Sequence, residues 1–237
     1  MKLSAPIYHL KRRAKALSRE KGISLNQALD HIATEEGFNG WSLLAARASA
    51  PVHAVELLNA LQPGDLVLLG ARPGHGKTIL GLELLLEAMK SGHRGVFFTL
   101  EYNEGDVLNR LQMLVGDPAV IGDRFEFDNS DAISSDYIMK QLASAPRGTA
   151  VVIDYLQLLD QKRENPELAT QVSALKSFAG DRGLIIIFIS QIDRSYDLSA
   201  RRCPDLRDVR LPNPVDLKLF NKTFFLNDGE VRMDAVG

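Results

Sequence analysis

Residues 66–80 read Leu-Val-Leu-Leu-Gly-Ala-Arg-Pro-Gly-His-Gly-Lys-Thr-Ile-Leu. An apolar run, a glycine-rich turn and a Gly-Lys-Thr triplet that opens an amphipathic stretch predict strand, loop and helix in that order. The order suits phosphate binding for a physical reason. Glycine lets backbone N–H groups approach an anion closely, and the first turn of the helix adds unsatisfied N–H groups and the positive end of its dipole. The stretch Ala71, Arg72, Pro73, Gly74, His75, Gly76, Lys77 and Thr78 is therefore the candidate nucleotide cradle. Within it Lys77 reaches the β/γ oxygens and the Thr78 hydroxyl holds Mg²⁺. The strict form of this loop starts on glycine, whereas this chain has Ala71 there and its glycine one place earlier, at Gly70. His75 shapes the loop and carries no chemistry.

Working outward, short β-rich runs alternate with longer helical ones. The predicted strands are 66–69, 96–100, 125–127, 150–153, 184–189 and 223–226, with a short last one at 230–233. Helical periodicity fills 77–90, 104–115, 135–144 and 166–181. Nearly uninterrupted apolar strands in such an alternation predict an α/β fold with a mainly parallel central sheet flanked by helices on both faces.

A bound triphosphate needs one carboxylate to orient attacking water and another on the metal side. Glu101 follows the apolar strand ending in Phe97-Phe98-Thr99-Leu100 and is the candidate water-activating base. Asp154 closes Ala150-Val151-Val152-Ile153 and is the candidate Mg²⁺-side acid. Gln191, at the end of the next strand, is placed to sense the γ-phosphate through its amide. Each alone is also the ordinary signature of a cap or turn; the ordered set gives them weight.

Several segments, in sequence order, resemble the motor domain of the DnaB-type replicative DNA helicases. They are Ala71-Arg72-Pro73; Phe98-Thr99-Leu100-Glu101 with Leu108 and Arg110; Val152-Ile153-Asp154-Tyr155-Leu156-Gln157-Leu158; Ile189-Ser190-Gln191-Ile192-Asp193-Arg194-Ser195; and Pro204-Asp205-Leu206-Arg207. The likeness covers about residues 55–226. It implies a RecA-like P-loop core that hydrolyses ATP with Mg²⁺, assembly as a homo-oligomer such as a hexameric ring, and single-stranded DNA as partner. The function expected is helicase, translocase or remodelling factor; the alternative is a regulatory ATPase whose nucleotide state controls assembly or partner binding without unwinding DNA.

The resemblance fails in two places. Asp208 to Lys218 departs from the family's acidic stretch, and no counterpart is found for its late Lys/Arg pair that reaches the neighbouring subunit's ATP. Arg201, Arg202, Arg207 and Arg210 are the pool for DNA or trans contacts, with solvated ion pairs the plainer reading. Residues 1–49 also differ, forming a basic three-helix module ahead of an ATPase domain at 50–237. In the module, Pro6 opens the first helix and Ser24 caps the second. Leu10, Ala14 and Leu17 share one face, Leu25, Leu29 and Ile32 another, and Phe38, Trp41 and Leu44 close a small core. Ala48 to Pro51 is the expected linker, and an unidentified protein is the expected partner of the module.

Composition agrees with a folded globular chain: of 237 residues, 45% are hydrophobic and 24% charged. Cys203 is the single cysteine, which excludes an internal disulfide, and no apolar run has signal-peptide or membrane-spanning length. A cytoplasmic location with no membrane partner is the expectation. The formal net charge of −2 conceals an asymmetry, because residues 1–50 hold eight Lys/Arg against four acids. That head is net +4, so the remainder carries −6.

Overall fold

The computed structural model describes residues 4–5, 7–48, 51–115, 120–160, 164–198, 201, 203–211, 213–227 and 230–236. Backbone contacts divide the chain into two compact units, Met1–Pro51 with Asp228–Glu230, and Val52–Asn227 with Val231–Gly237.

The first unit holds α1 (Ile7–Lys21), α2 (Leu25–Glu35) and α3 (Trp41–Ala48). Leu10, Ala14, Ala28, Ile32, Ala33, Phe38, Trp41 and Leu44 form its core. Ser24 caps α2 through a reciprocal capping box with Gln27, and Asp30 Oδ1 accepts the Trp41 N–H at 2.8 Å to start α3. One predicted face is corrected: Leu25, the first residue of α2, is 42% exposed. Ala28 and Ala33 sit in the core with Ile32 instead, because small residues let the helices approach closely. Pro6 lies outside the described residues.

The second unit is built on a seven-stranded sheet of order β3-β2-β4-β5-β1-β6-β7. The strands are β1 (Leu66–Ala71), β2 (Gly95–Thr99), β3 (Phe125–Asp128), β4 (Ala150–Asp154), β5 (Ile185–Gln191), β6 (Lys222–Asn227) and β7 (Glu230–Ala235). β1 pairs with β5 and β6, β2 with β3 and β4, and β4 with β5, all in parallel. Alternate residues serve opposite faces, so both must be covered. Val67, Leu69, Phe97, Val152, Ile187 and Ile189 pack on one face with α4 (Pro51–Asn59), α5 (Lys77–Lys90) and α6 (Glu104–Leu114). Leu66, Leu68, Phe98, Ile153 and Phe188 pack on the other with α7 (Ser135–Gln141) and α8 (Leu168–Arg182).

Helix α4 is not among the predicted helices, and it starts at Pro51, the last residue of the expected linker. It forms because Pro51 is compatible with a first helical turn while Ala54 and Leu57 are buried against the sheet. Ser49 and Ala50 lie outside the described residues. Strands β1, β4 and β5 each run one or two residues past their predicted ends, to Ala71, Asp154 and Gln191. Three site residues thus stand on rigid strand ends and not in loops.

Candidate nucleotide site

The turn after β1 depends on left-handed backbone at Gly74 (φ 78°) and Gly76 (φ 85°), a conformation that costs any residue with a Cβ. Gly70 is needed for a different reason. A Cβ there would lie 2.8 Å from the Phe225 ring, which covers the end of β1. Gly76 N-caps α5 without any side-chain cap, so the first helical N–H groups are left for another acceptor. Lys77 and Thr78, the first residues of α5, are buried at 9% and 6% exposure.

Two strands away, Asp154 ends β4 at 0% exposure. Thr78 Oγ1 donates to Asp154 Oδ2 at 2.8 Å, while Asp154 Oδ1 is buried with no hydrogen-bond partner. Burial pushes the Asp154 carboxyl up to about 6; the Lys77 charge and the Thr78 hydrogen bond lower it, the Glu101 charge raises it, and Arg110 lowers it. Among the described residues no cluster of three or more His, Cys, Asp or Glu side chains could hold a metal. A protein-only cage is therefore not what Asp154 and Thr78 belong to. One carboxylate oxygen without a partner, beside a threonine hydroxyl, fits a magnesium ion that keeps water and phosphate oxygens as its other ligands.

Glu101 comes from β2, which lies on the far side of β4 from β1. It reaches the site because Thr99 is in register with Asp154, and the Glu101 N–H donates to Thr99 Oγ1 at 3.0 Å, which folds the chain back at the strand end. Its side chain is exposed. Gln191, half-buried, is in register with Ala71, and the neighbouring Ile192 N–H donates to Ala71 O at 3.1 Å. Arg72 of the loop donates to Ile192 O at 3.0 Å, so the loop and the end of β5 are held together.

The arginine pool separates on inspection. Arg201 donates to Asp205 at 2.7 Å and to Asp208 at 2.5 Å, with its guanidinium 5.5 Å from the Tyr196 ring centroid. Arg207 donates to both Asp205 carboxylate oxygens, at 3.0 and 2.7 Å. Those hydrogen bonds hold Asp205 well below the ordinary carboxylate range. Arg210 differs: its N–H donates to Gln191 O at 2.8 Å and its carbonyl accepts from Gln157 Nε2 at 2.7 Å, yet its side chain is exposed. No carboxylate lies in ion-pair range of Arg210 among the described residues. Arg202 lies outside the described residues.

Two residues matter more than their sequence suggests. Arg110 on α6 enters the sequence reading only through the family resemblance, and it stacks 4.5 Å from the Tyr102 ring centroid with its charge acting on Asp154. Its place one helix beyond Glu101 is the signal that could have marked it. Gln157 bridges the chain after β4 to Arg210, and nothing in the local sequence announces that contact.

A parallel sheet covered on both faces, with a glycine loop, a buried lysine and threonine and an aspartate at a neighbouring strand end, defines a P-loop fold of the RecA-like ATPase type. Solved structures with this fold include the ATPase domain of G40P, at TM-score 0.56 and 20% identity over 69% of each chain. A DnaB-like replicative helicase studied with primase gives TM-score 0.57 and 18% identity, covering 92% of this chain and 65% of that one. The family model of the DnaB-like helicase C-terminal domain matches residues 54–117 and 114–215, and the chain belongs to that family. It is 27% identical to the replicative DNA helicase DnaB of Leifsonia xyli over 192 residues, 68% of this chain and 42% of the relative. It is 26% identical to a probable plasmid replicative DNA helicase of Chlamydia trachomatis, over 63% of this chain and 40% of the relative. The chain spans less than half the length of these relatives. No helix among the described residues is long and apolar enough to cross a membrane.

Proposed function

We propose that the chain is an ATP-hydrolysing motor or remodelling ATPase acting on DNA, working as a homo-oligomer. The observation that carries this reading is the Thr78–Asp154 pair, buried below the uncapped start of α5 with one carboxylate oxygen unpartnered. Backbone N–H groups of the 71–78 loop and the Lys77 ammonium would bind the triphosphate. Thr78 and Asp154 would hold Mg²⁺, which when bound supplies positive charge to the phosphate oxygens. Glu101, the exposed carboxylate whose charge acts on Asp154, accepts the proton of the attacking water. Gln191, tied through its strand to the loop, contacts the γ-phosphate. Arg110, held on Tyr102, adds a cation in cis, and among the described members of the pool Arg210 is the one left for phosphate contact.

The test is a hydrolysis assay with and without single-stranded DNA, alongside mass measurement with and without nucleotide. The expected result is turnover stimulated by DNA and a larger assembly with nucleotide; turnover indifferent to DNA, in protein that binds none, contradicts the reading. A second reading, a regulator switched by nucleotide without strand separation, is favoured by the internal pairing of Arg201 and Arg207. It predicts nucleotide-dependent assembly with no unwinding of a forked duplex.

A further inference from the structure

The solvent face of α1 carries a row of cations that the unit itself does not use. Leu10 and Ala14 of this helix are fully buried and Leu17 packs beside them. At roughly 100° per residue, Arg12, Lys15 and Arg19 fall within about 60° of one another, opposite that buried face. All three are exposed. None has a carboxylate in ion-pair range among the described residues, whereas Arg13, one step round the helix, is held by Glu35 at 2.7 Å and Glu36 at 3.8 Å.

The acids of residues 1–50 explain the difference. Asp30 accepts the N–H that starts α3, Glu35 binds Arg13, and Glu36 accepts from the Ser4 N–H at 2.8 Å. These three are engaged in fixing the three-helix fold, and the only acid on α1 is Glu20. A solvated face usually mixes both signs. Here three of the four acids of residues 1–50 are turned to internal contacts, while Arg12, Lys15 and Arg19 are left together, on a segment of net +4.

We infer that the Arg12–Lys15–Arg19 stripe of α1 is a second nucleic-acid-binding surface, contacting the sugar–phosphate backbone of DNA without reading its sequence. The stripe spans about 10 Å at 1.5 Å per residue, enough for successive phosphates of one strand, and lysine and arginine at such spacing are the residues that make positioning contacts. No other side chain between Arg12 and Arg19 falls within that arc. A membrane-surface helix instead needs large apolar side chains along the face that enters the bilayer, and the face of α1 opposite the stripe is already used by the core. None of its residues belongs to the nucleotide site.

The test uses the full chain and the triple substitution Arg12→Gln, Lys15→Gln, Arg19→Gln. Glutamine has nearly the same helix propensity as arginine and lysine, and all three side chains point away from the core, so the helix persists; circular dichroism and the melting temperature check this. Binding of a labelled single-stranded oligonucleotide and of its duplex is measured across a salt series. The expected result is an affinity lower on the order of tenfold near 0.1 M salt and a slope of log K against log salt smaller by about two to three. ATP hydrolysis without DNA is unchanged. The same α1-dependent difference is expected in a Lys77→Ala background, which separates this surface from the ATPase reading. Unchanged affinity and slope in a folded triple variant overturn the inference. So does lower affinity at unchanged slope, or wild-type binding to anionic phosphatidylserine vesicles with the same residue dependence and none to DNA.

Discussion

Charged residues are handled in opposite ways at the two sides of the sheet's C-terminal edge. Around α5, Lys77, Thr78 and Asp154 are buried together, one Asp154 oxygen has no partner, and the carboxyl is pushed up to about 6. In the segment 201–208, Arg201, Arg207, Asp205 and Asp208 satisfy one another, and Asp205 is held well below its ordinary range. Burying a polar atom without a partner costs free energy, a cost that the proposed metal would offset at Asp154. A segment whose charges already pair has its contacts filled. The contrast supports the proposed binding role of the first region, while the ion pairs of the second hold the segment after β5 in shape.

The strongest way to break this contrast is at the first region. Lys77→Ala is expected to weaken Mg-ATP binding by at least about a hundredfold, in keeping with loss of a charged contact to phosphate in a dry site, while Glu101→Gln binds within a few-fold of wild type and loses on the order of 10²–10⁴ in turnover. Titration calorimetry and single-turnover hydrolysis read the two separately. Equal loss of affinity in both variants would remove the distinction between gripping and activating residues.

The second region should respond in stability instead. Asp208, 6% exposed, accepts from Arg201 and from the Asp205 N–H at 2.8 Å. Asp208→Ala is expected to destabilise by about 2–3 kcal/mol, the cost of stranding a charged partner and a buried donor, with Mg-ATP affinity unchanged. Arg210→Ala should do the reverse, leaving the stability within about 0.5 kcal/mol of wild type and reducing stimulation by DNA. Denaturant unfolding and DNA-stimulated turnover on both variants sharpen the assignment of the four arginines.

A smaller effect, with a definite sign, comes from pH. Asp154 is raised from 3.8 to about 6, and Glu83, buried on α5, from 4.5 to about 8, by burial first and then by the Glu87 charge, against Lys90. In both cases the native state keeps a proton that the unfolded chain has released, so ligand-free stability falls as pH rises from about 4 to about 8. Glu83→Gln should therefore raise stability near pH 7.5 by on the order of 2–3 kcal/mol and have little effect at pH 4. Asp205 has the opposite sign, but its lowered value places its loss of stability below pH 3.8, outside this window. With Asp154 as the proposed Mg²⁺ ligand, Mg²⁺-dependent nucleotide affinity should weaken as pH drops through about 6.

Much of this was legible in the sequence where one physical rule decided the outcome. The runs 66–69 and 150–153 were legible as strands of a parallel sheet because every side chain in them is apolar, and α5 matched its predicted bounds, Lys77–Lys90, because the glycine loop fixes its start. Helix α4 escaped because it has no side-chain cap motif before it and its few buried residues only make sense against a sheet face. Leu25 misled because hydrophobic periodicity takes no account of the first helical position, where the chain enters from solvent. The fates of the arginines were illegible for a different reason. Four arginines interleaved with aspartates are equivalent as a pattern, and the turn capped by Asp205, which brings Asp208 back to the Asp205 N–H, decides that Arg201 and Arg207 form ion pairs while Arg210 forms none among the described residues.

Calorimetric titration of ATP into the folded chain, with Mg²⁺ and again with the metal chelated, tests the central claim most directly. The structure predicts saturable binding that depends on magnesium and is lost in Lys77→Ala and weakened in Asp154→Asn. Well-folded protein that takes up no nucleotide, or takes it up equally with and without magnesium and irrespective of Lys77, would contradict it.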